Sequence, residues 1–125
     1  MDNISKIIET ITPKQVNNLR INTEDFIKLY NNNEAVLVDV RAKFETSVWQ
    51  LNFGLQIPLN ELPNRLNEIP KDKIIIVACP TSDRSNMARL YLETQGYQAK
   101  YLTDGLLGLM ERLRGGKAKD INLNI

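Results

Sequence analysis

Two apolar runs constrain this chain most: Ala35-Val36-Leu37-Val38-Asp39-Val40 and Lys73-Ile74-Ile75-Ile76-Val77-Ala78. Both are rich in β-branched residues, and neither alternates apolar with polar residues. A strand of that composition has no face to offer to water. It belongs in a sheet covered on both sides, which is the usual setting of parallel strands. Parallel strands need crossover connections, and the stretches between the runs carry helical spacing. The pattern predicts an α/β protein with a mainly parallel sheet and helices on both faces.

The remaining elements fit that plan. Thr23 is placed to cap a helix with Glu24 and Asp25 in its first turn and an apolar face of Phe26, Ile27, Leu29 and Tyr30. Asn31-Asn32-Asn33 ends it as a turn. Leu55–Leu59 reads as a short strand stopped by Pro58, and Leu62, Leu66 and Ile69 share a face of a helix between Asn60 and Pro70. Ser85–Thr94 reads as a helix with Met87, Ala88, Leu90, Tyr91 and Leu92 on its buried side and Gly96 as its stop. Ala99–Leu102 is a fourth strand, Asp104-Gly105 a turn, and Leu106–Arg114 the last helix. Phe44, Trp49 and Phe53 read as packing beneath the segment between two strands. Residues 1–21 are expected as an N-terminal arm or helix, 22–116 as one domain and 117–125 as a polar tail.

Charge and the rarer residues narrow the chemistry. Sixteen Lys and Arg against fifteen Asp and Glu leave a net charge of +1, scattered without a basic block. Neither nucleic acid nor a membrane is therefore expected as a partner. The N-terminus has no long apolar core and no small-residue cleavage site, so the expected location is cytoplasmic. There is one cysteine and no histidine. That excludes an internal disulfide, Ser-His-Asp and Cys-His catalysis, and His-ligated metals. No metal and no cofactor is expected. Nucleophilic chemistry, if present, must use Cys79 without an imidazole.

Cys79 stands at the end of the second apolar run, in Cys79-Pro80-Thr81-Ser82-Asp83-Arg84-Ser85, at the entrance to a helix. A tight strand-to-helix turn can point successive backbone N–H groups inward as an anion-binding concavity. The helix adds its positive end and Arg84 a fixed cation, while Thr81, Ser82 and Ser85 can donate hydrogen bonds. Such surroundings favour the thiolate, the reactive form of cysteine. The competing reading is a small buried residue at a strand end.

The loop, with its Cys-x4-Arg-Ser spacing after an Ile/Val strand, resembles the active loop of rhodanese-like sulfurtransferases. Val36-Leu37-Val38-Asp39-Val40-Arg41 is similar to the family's LIDVR strand, Ile57-Pro58-Leu59-Asn60-Glu61-Leu62 to its NIPLSEL segment, and Leu102-Thr103-Asp104-Gly105-Leu106 to its LxGG turn. The resemblance covers about residues 22 to 115. It implies a rhodanese-like fold and transfer of a sulfane sulfur from thiosulfate, a polysulfide or a persulfide through a persulfide on Cys79. It implies Cys79 and Arg84 as the catalytic pair and Thr81, Ser82, Asp83 and Ser85 as the substrate cradle. Asp39 and Arg41 take supporting roles. No second thiol exists to receive the sulfur, so a low-molecular-weight thiol or a protein is the expected acceptor.

Two residues depart from the pattern at the site. Pro80 has no N–H to donate. Asp83 sets a negative charge beside a place meant for anions, at a cost on the order of 2–3 kcal/mol for a like charge at ~6 Å. The expectation is a shift away from small dianions such as thiosulfate. Gln50 and Leu109, where the family commonly has histidine and tryptophan, are read as packing changes. A non-enzymatic module that binds a partner or senses reactive sulfur is the alternative. A phosphatase or arsenate reductase of related fold would need five residues between cysteine and arginine, and here there are four.

Overall fold

The computed structural model describes residues 2–123. Five strands, β1 (Arg20–Ile21), β2 (Ala35–Asp39), β3 (Leu55–Gln56), β4 (Ile74–Ala78) and β5 (Ala99–Leu102), form one sheet in the order β1-β5-β4-β2-β3. Every pairing is parallel, with Ala35 opposite Ile74 and Asp39 opposite Ala78 in the central pair. The helices are α1 (Asn3–Glu9), α2 (Thr23–Asn31), α3 (Lys43–Val48), α4 (Asp83–Thr94) and α5 (Gly105–Leu113).

Alternation along the strands divides the core into two layers. Leu37, Ile76 and Ala78 face α2 and α5, where Phe26, Ile27, Leu106, Leu109 and Leu113 cover them. Val38, Ile75, Val77 and Cys79 face the other way, toward Ala88 and Leu92 of α4 and Leu62 and Ile69. The sheet is thus clothed on both faces, as the unbroken apolar runs require. The same alternation sends Cys79 to the α4 side at the C-terminal edge of the middle strand.

Several local expectations are corrected. Residues 60–70 form no α-helix. They make two 3₁₀ segments, Leu59–Asn64 and Leu66–Glu68, because Pro63 lies inside the first and cannot donate to an α-helical ladder. The helix cap is Asn22, whose Oδ1 accepts the Asp25 N–H at 2.8 Å. Thr23 instead gives its N–H and its hydroxyl to Asp104 Oδ2, at 3.0 and 2.8 Å. β1 and α3 carry too little apolar pattern to be read in advance, and Phe44 on α3 is exposed rather than packed.

The expected polar tail is fastened to the body. Gly115–Asp120 is a 3₁₀ segment, and Ile121 is buried with α2 and α5. Asn31 donates to the Asp120 carbonyl and accepts the Asn122 N–H, each at 2.8 Å, so it does more than make a turn. In the N-terminal arm, α1 lies against α4, and Asn3 donates to the Thr94 carbonyl at 2.5 Å. The ends of that arm and tail, Met1, Asn124 and Ile125, fall outside the described residues.

Candidate active site

The loop after β4 is held from below by α5. Leu106 N–H donates to the Cys79 carbonyl at 2.8 Å. Gly105, at φ +66°, brings the start of α5 so close that a Cβ would lie 2.2 Å from the Pro80 carbonyl oxygen and 2.7 Å from that of Thr81. Only glycine combines that conformation with that approach. The Asp104-Gly105 turn therefore shapes the cysteine loop from beneath.

The thiol sits at the start of α4. Ser85 N–H points at Cys79 Sγ across 3.3 Å, and the buried Ser85 Oγ lies 3.5 Å from it. Ser85 Oγ donates in turn to the Ser82 carbonyl at 3.1 Å. Asp83 Oδ1 stands 3.8 Å from the sulfur and 3.4 Å from Thr81 Oγ1. Cys79 has no exposed surface. In burial it matches the competing expectation of a small residue at a strand end: the carbon side packs with Val77 and Ala88, while Ser85 and Asp83 oxygens stand near the sulfur. Asp83 and Thr81 are themselves exposed. The Asp83 carboxyl is held below its ordinary range by the backbone N–H of Arg84 and by its own N–H, at the amino end of α4.

Arg84 is the main surprise. Its guanidinium turns to α3, where Nη1 and Nη2 meet Glu45 Oε1 and Oε2 at 2.5 and 3.0 Å. The Glu45 Oε1 also accepts the Ala42 N–H at 3.0 Å. The Arg84 hydrogen bonds hold the Glu45 carboxyl at about 2, against an ordinary 4.5, with burial opposing them. Arg84 thus fastens the loop to α3, a different task from lining an open cradle.

Asp39 and Arg41 support that arrangement from the end of β2. Both are buried, and Arg41 Nε and Nη2 reach the Asp39 carboxylate at 2.8 to 3.1 Å. Arg41 Nη2 also donates to the Trp49 carbonyl at 3.1 Å, and the guanidinium lies 4.1 Å from the Trp49 ring centroid. Trp49 closes α3. The chain of contacts therefore runs from Asp39 through Arg41 and α3 to Glu45, and from Glu45 to Arg84.

Of the eight residues singled out in the sequence, Cys79, Asp83 and Ser85 meet at the sulfur. Thr81 reaches Asp83 instead, Ser82 contributes its carbonyl, Arg84 joins Glu45, and Asp39 and Arg41 lie one layer back. Glu45 and Gly105 escaped attention as site residues. Glu45 stands three residues after Ala42, at the spacing of a helix start, but nothing local announces a partner 39 residues away.

A parallel sheet with helices on both faces, and a lone cysteine in the turn from the middle strand to a helix, defines an α/β protein with its cysteine loop at the C-terminal ends of the strands. Residues 22–111 match the Rhodanese-like domain, and the chain belongs to that family. It is 34% identical over 89 residues to a protein named Sulfurtransferase from Allochromatium vinosum, covering 71% of this chain and 74% of that one. It is 26% identical to the tRNA uridine(34) hydroxylase of Pelagibacter ubique, over 89% of this chain but only 37% of that protein. In structure it is similar to a rhodanese-related protein from Thermoplasma volcanium, with a TM-score of 0.66, 26% identity, and coverage of 74% of this chain and 91% of the other. No helix among the described residues is long and apolar enough to cross a membrane.

Proposed function

We propose that this chain is a sulfurtransferase that carries a sulfane sulfur on Cys79. The observation that carries the reading is the Ser85 N–H aimed at Cys79 Sγ at the start of α4. That donor, with the positive end of the helix, favours negative charge on the sulfur or on a second sulfur attached to it. The Cys79 thiolate attacks the outer sulfur of the donor; the new S–S bond forms as the donor's own bond to that sulfur breaks. From thiosulfate the leaving group is sulfite, and from a persulfide it is a thiolate. An outside thiol or cyanide then attacks the outer sulfur and regenerates Cys79. In this reading Ser85 steadies the sulfur, Thr81 and Ser82 bound the space into which it extends, and Arg84 holds the loop in shape.

In this reading the donor meets the sulfur past the exposed Asp83 side chain, which stands 3.8 Å from Sγ. The sulfurtransferase name of the Allochromatium vinosum relative supports the reading. In this reading the acceptor is external, since the sequence holds no second thiol to take the sulfur. A cytoplasmic setting, where small thiols stay reduced, suits such an acceptor. Initial rates with donor and acceptor varied together test it. Parallel double-reciprocal lines are expected when the donor's leaving group departs before the acceptor meets the sulfur held on Cys79. Intersecting lines or absence of turnover contradict it.

The burial of Cys79 favours one second reading: a module that senses or binds reactive sulfur without turning over. Sulfur taken up on Cys79 and never passed to an acceptor would select it.

A further inference from the structure

We propose that Asp83 sets the donor class of this site: Cys79 is loaded from persulfides, R–S–SH, in preference to thiosulfate. The inference rests on the sulfurtransferase reading and concerns which donors that reaction accepts.

An oxyanion donor needs positive charge or free hydrogen-bond donors where its oxygens arrive. The arginine side chains around this loop are bound elsewhere. The two terminal nitrogens of Arg84 are bound to Glu45, a carboxylate that stays ionised down to about pH 2. Arg41 is paired with Asp39 and Arg89 with Glu93, and both arginines are buried. The Thr81 hydroxyl lies 3.4 Å from Asp83 Oδ1, and Pro80 has no N–H. Beside the sulfur, together with the Ser85 N–H and hydroxyl, stands the Asp83 carboxylate, 3.8 Å away. Thiosulfate would bring its dianionic sulfonate toward that charge.

A persulfide brings no sulfonate, and exposed apolar side chains lie on the two helices that the Arg84–Glu45 pair joins. Val48 lies three residues from Glu45 on α3, and Met87 three residues from Arg84 on α4, so each shares a helix face with one partner of the ion pair. Val48 is 82% exposed and Met87 57% exposed, beside the ion pair that joins the two helices. The loading step is Cys79–S⁻ + R–S–SH → Cys79–S–SH + R–S⁻, in which one S–S bond forms, one breaks, and no external oxidant is needed.

The test compares second-order rates of sulfur uptake by Cys79, read by intact mass, from thiosulfate and from cysteine persulfide. The parent is expected to favour the persulfide, and Asp83→Asn to move the thiosulfate-to-persulfide rate ratio toward thiosulfate by about tenfold. A measurement on the parent alone guards against a misfolded variant. Its thiosulfate rate should rise with added inert salt, because the repulsion from Asp83 is screened. A parent that prefers thiosulfate, or an unchanged ratio in Asp83→Asn with no rise in salt, overturns the assignment of Asp83 while leaving sulfur transfer standing. Failure of both donors to load Cys79 overturns the transfer reading itself.

Discussion

Arg84 and Glu45 face each other in a two-pronged ion pair, 2.5 and 3.0 Å between nitrogen and oxygen, and so bind the cysteine loop to α3. The pair is only partly covered, with side-chain exposures of 30% and 21%. Its consequence is geometric more than energetic: the guanidinium that spacing assigns to the anion cradle becomes the strut that holds the cradle's wall.

The strut has a pH signature. Glu45 is held at about 2 in the folded chain against an ordinary 4.5, so its pairing stabilises the fold fully above 4.5 and loses that effect as pH falls toward 2. Chemical denaturation of the parent and Glu45→Gln should show the parent more stable at neutral pH. The gap should close between about pH 4.5 and pH 2. A gap that stays constant across that range would show that the charge of Glu45 plays no part in it.

Gly105→Ala should damage the loop directly. The added Cβ would sit 2.2 Å from the Pro80 carbonyl oxygen at a φ of +66°, so we expect a loss of about 2–3 kcal/mol and much slower sulfur uptake. Gly116→Ala is the matched control, since no atom lies within 4 Å of a Cβ there. Equal stability of the two variants in urea unfolding would contradict the close approach of α5 to the loop.

Asp39→Ala should be among the costlier single changes, because it leaves Arg41 buried without its carboxylate, a loss of about 3–5 kcal/mol. Asp39 does not touch the sulfur. Under conditions where the variant remains folded, its rate of sulfur uptake should therefore lie within about threefold of the parent. A folded variant that takes up no sulfur would move Asp39 from support into the reaction.

Ser85 contributes to the sulfur chiefly through its backbone. Ser85→Ala keeps the N–H that lies 3.3 Å from Sγ and removes the hydroxyl at 3.5 Å, so sulfur uptake should fall only about fivefold, the worth of one modest hydrogen bond. A loss of several hundredfold would transfer the main role to the hydroxyl.

The parts of the molecule legible in the sequence are those fixed by local pattern. The runs at Val36–Val40 and Ile74–Ala78 dictate strands covered on both faces, and the sheet is built that way. The position of Cys79 at a strand end and helix start follows from the same pattern. What stayed hidden depends on partners far along the chain. Glu45 acquires meaning only when α3 is folded against α4, and Gly105 only when α5 reaches the Pro80 carbonyl. Thr23 has the composition of a cap, yet tertiary contact with Asp104 gives that place to Asn22. The full burial of Cys79 was undecided for a related reason: loop composition reports which groups are near the sulfur and not how completely they cover it.

The central claim is that Cys79 carries a transferable sulfur, and intact-mass analysis after exposure to cysteine persulfide tests it most directly. The account predicts a gain of one sulfur atom on the parent, none on Cys79→Ser, and return to the original mass when cyanide is added, with matching release of thiocyanate. A parent whose mass does not change, or an added sulfur that cyanide cannot remove, would contradict it.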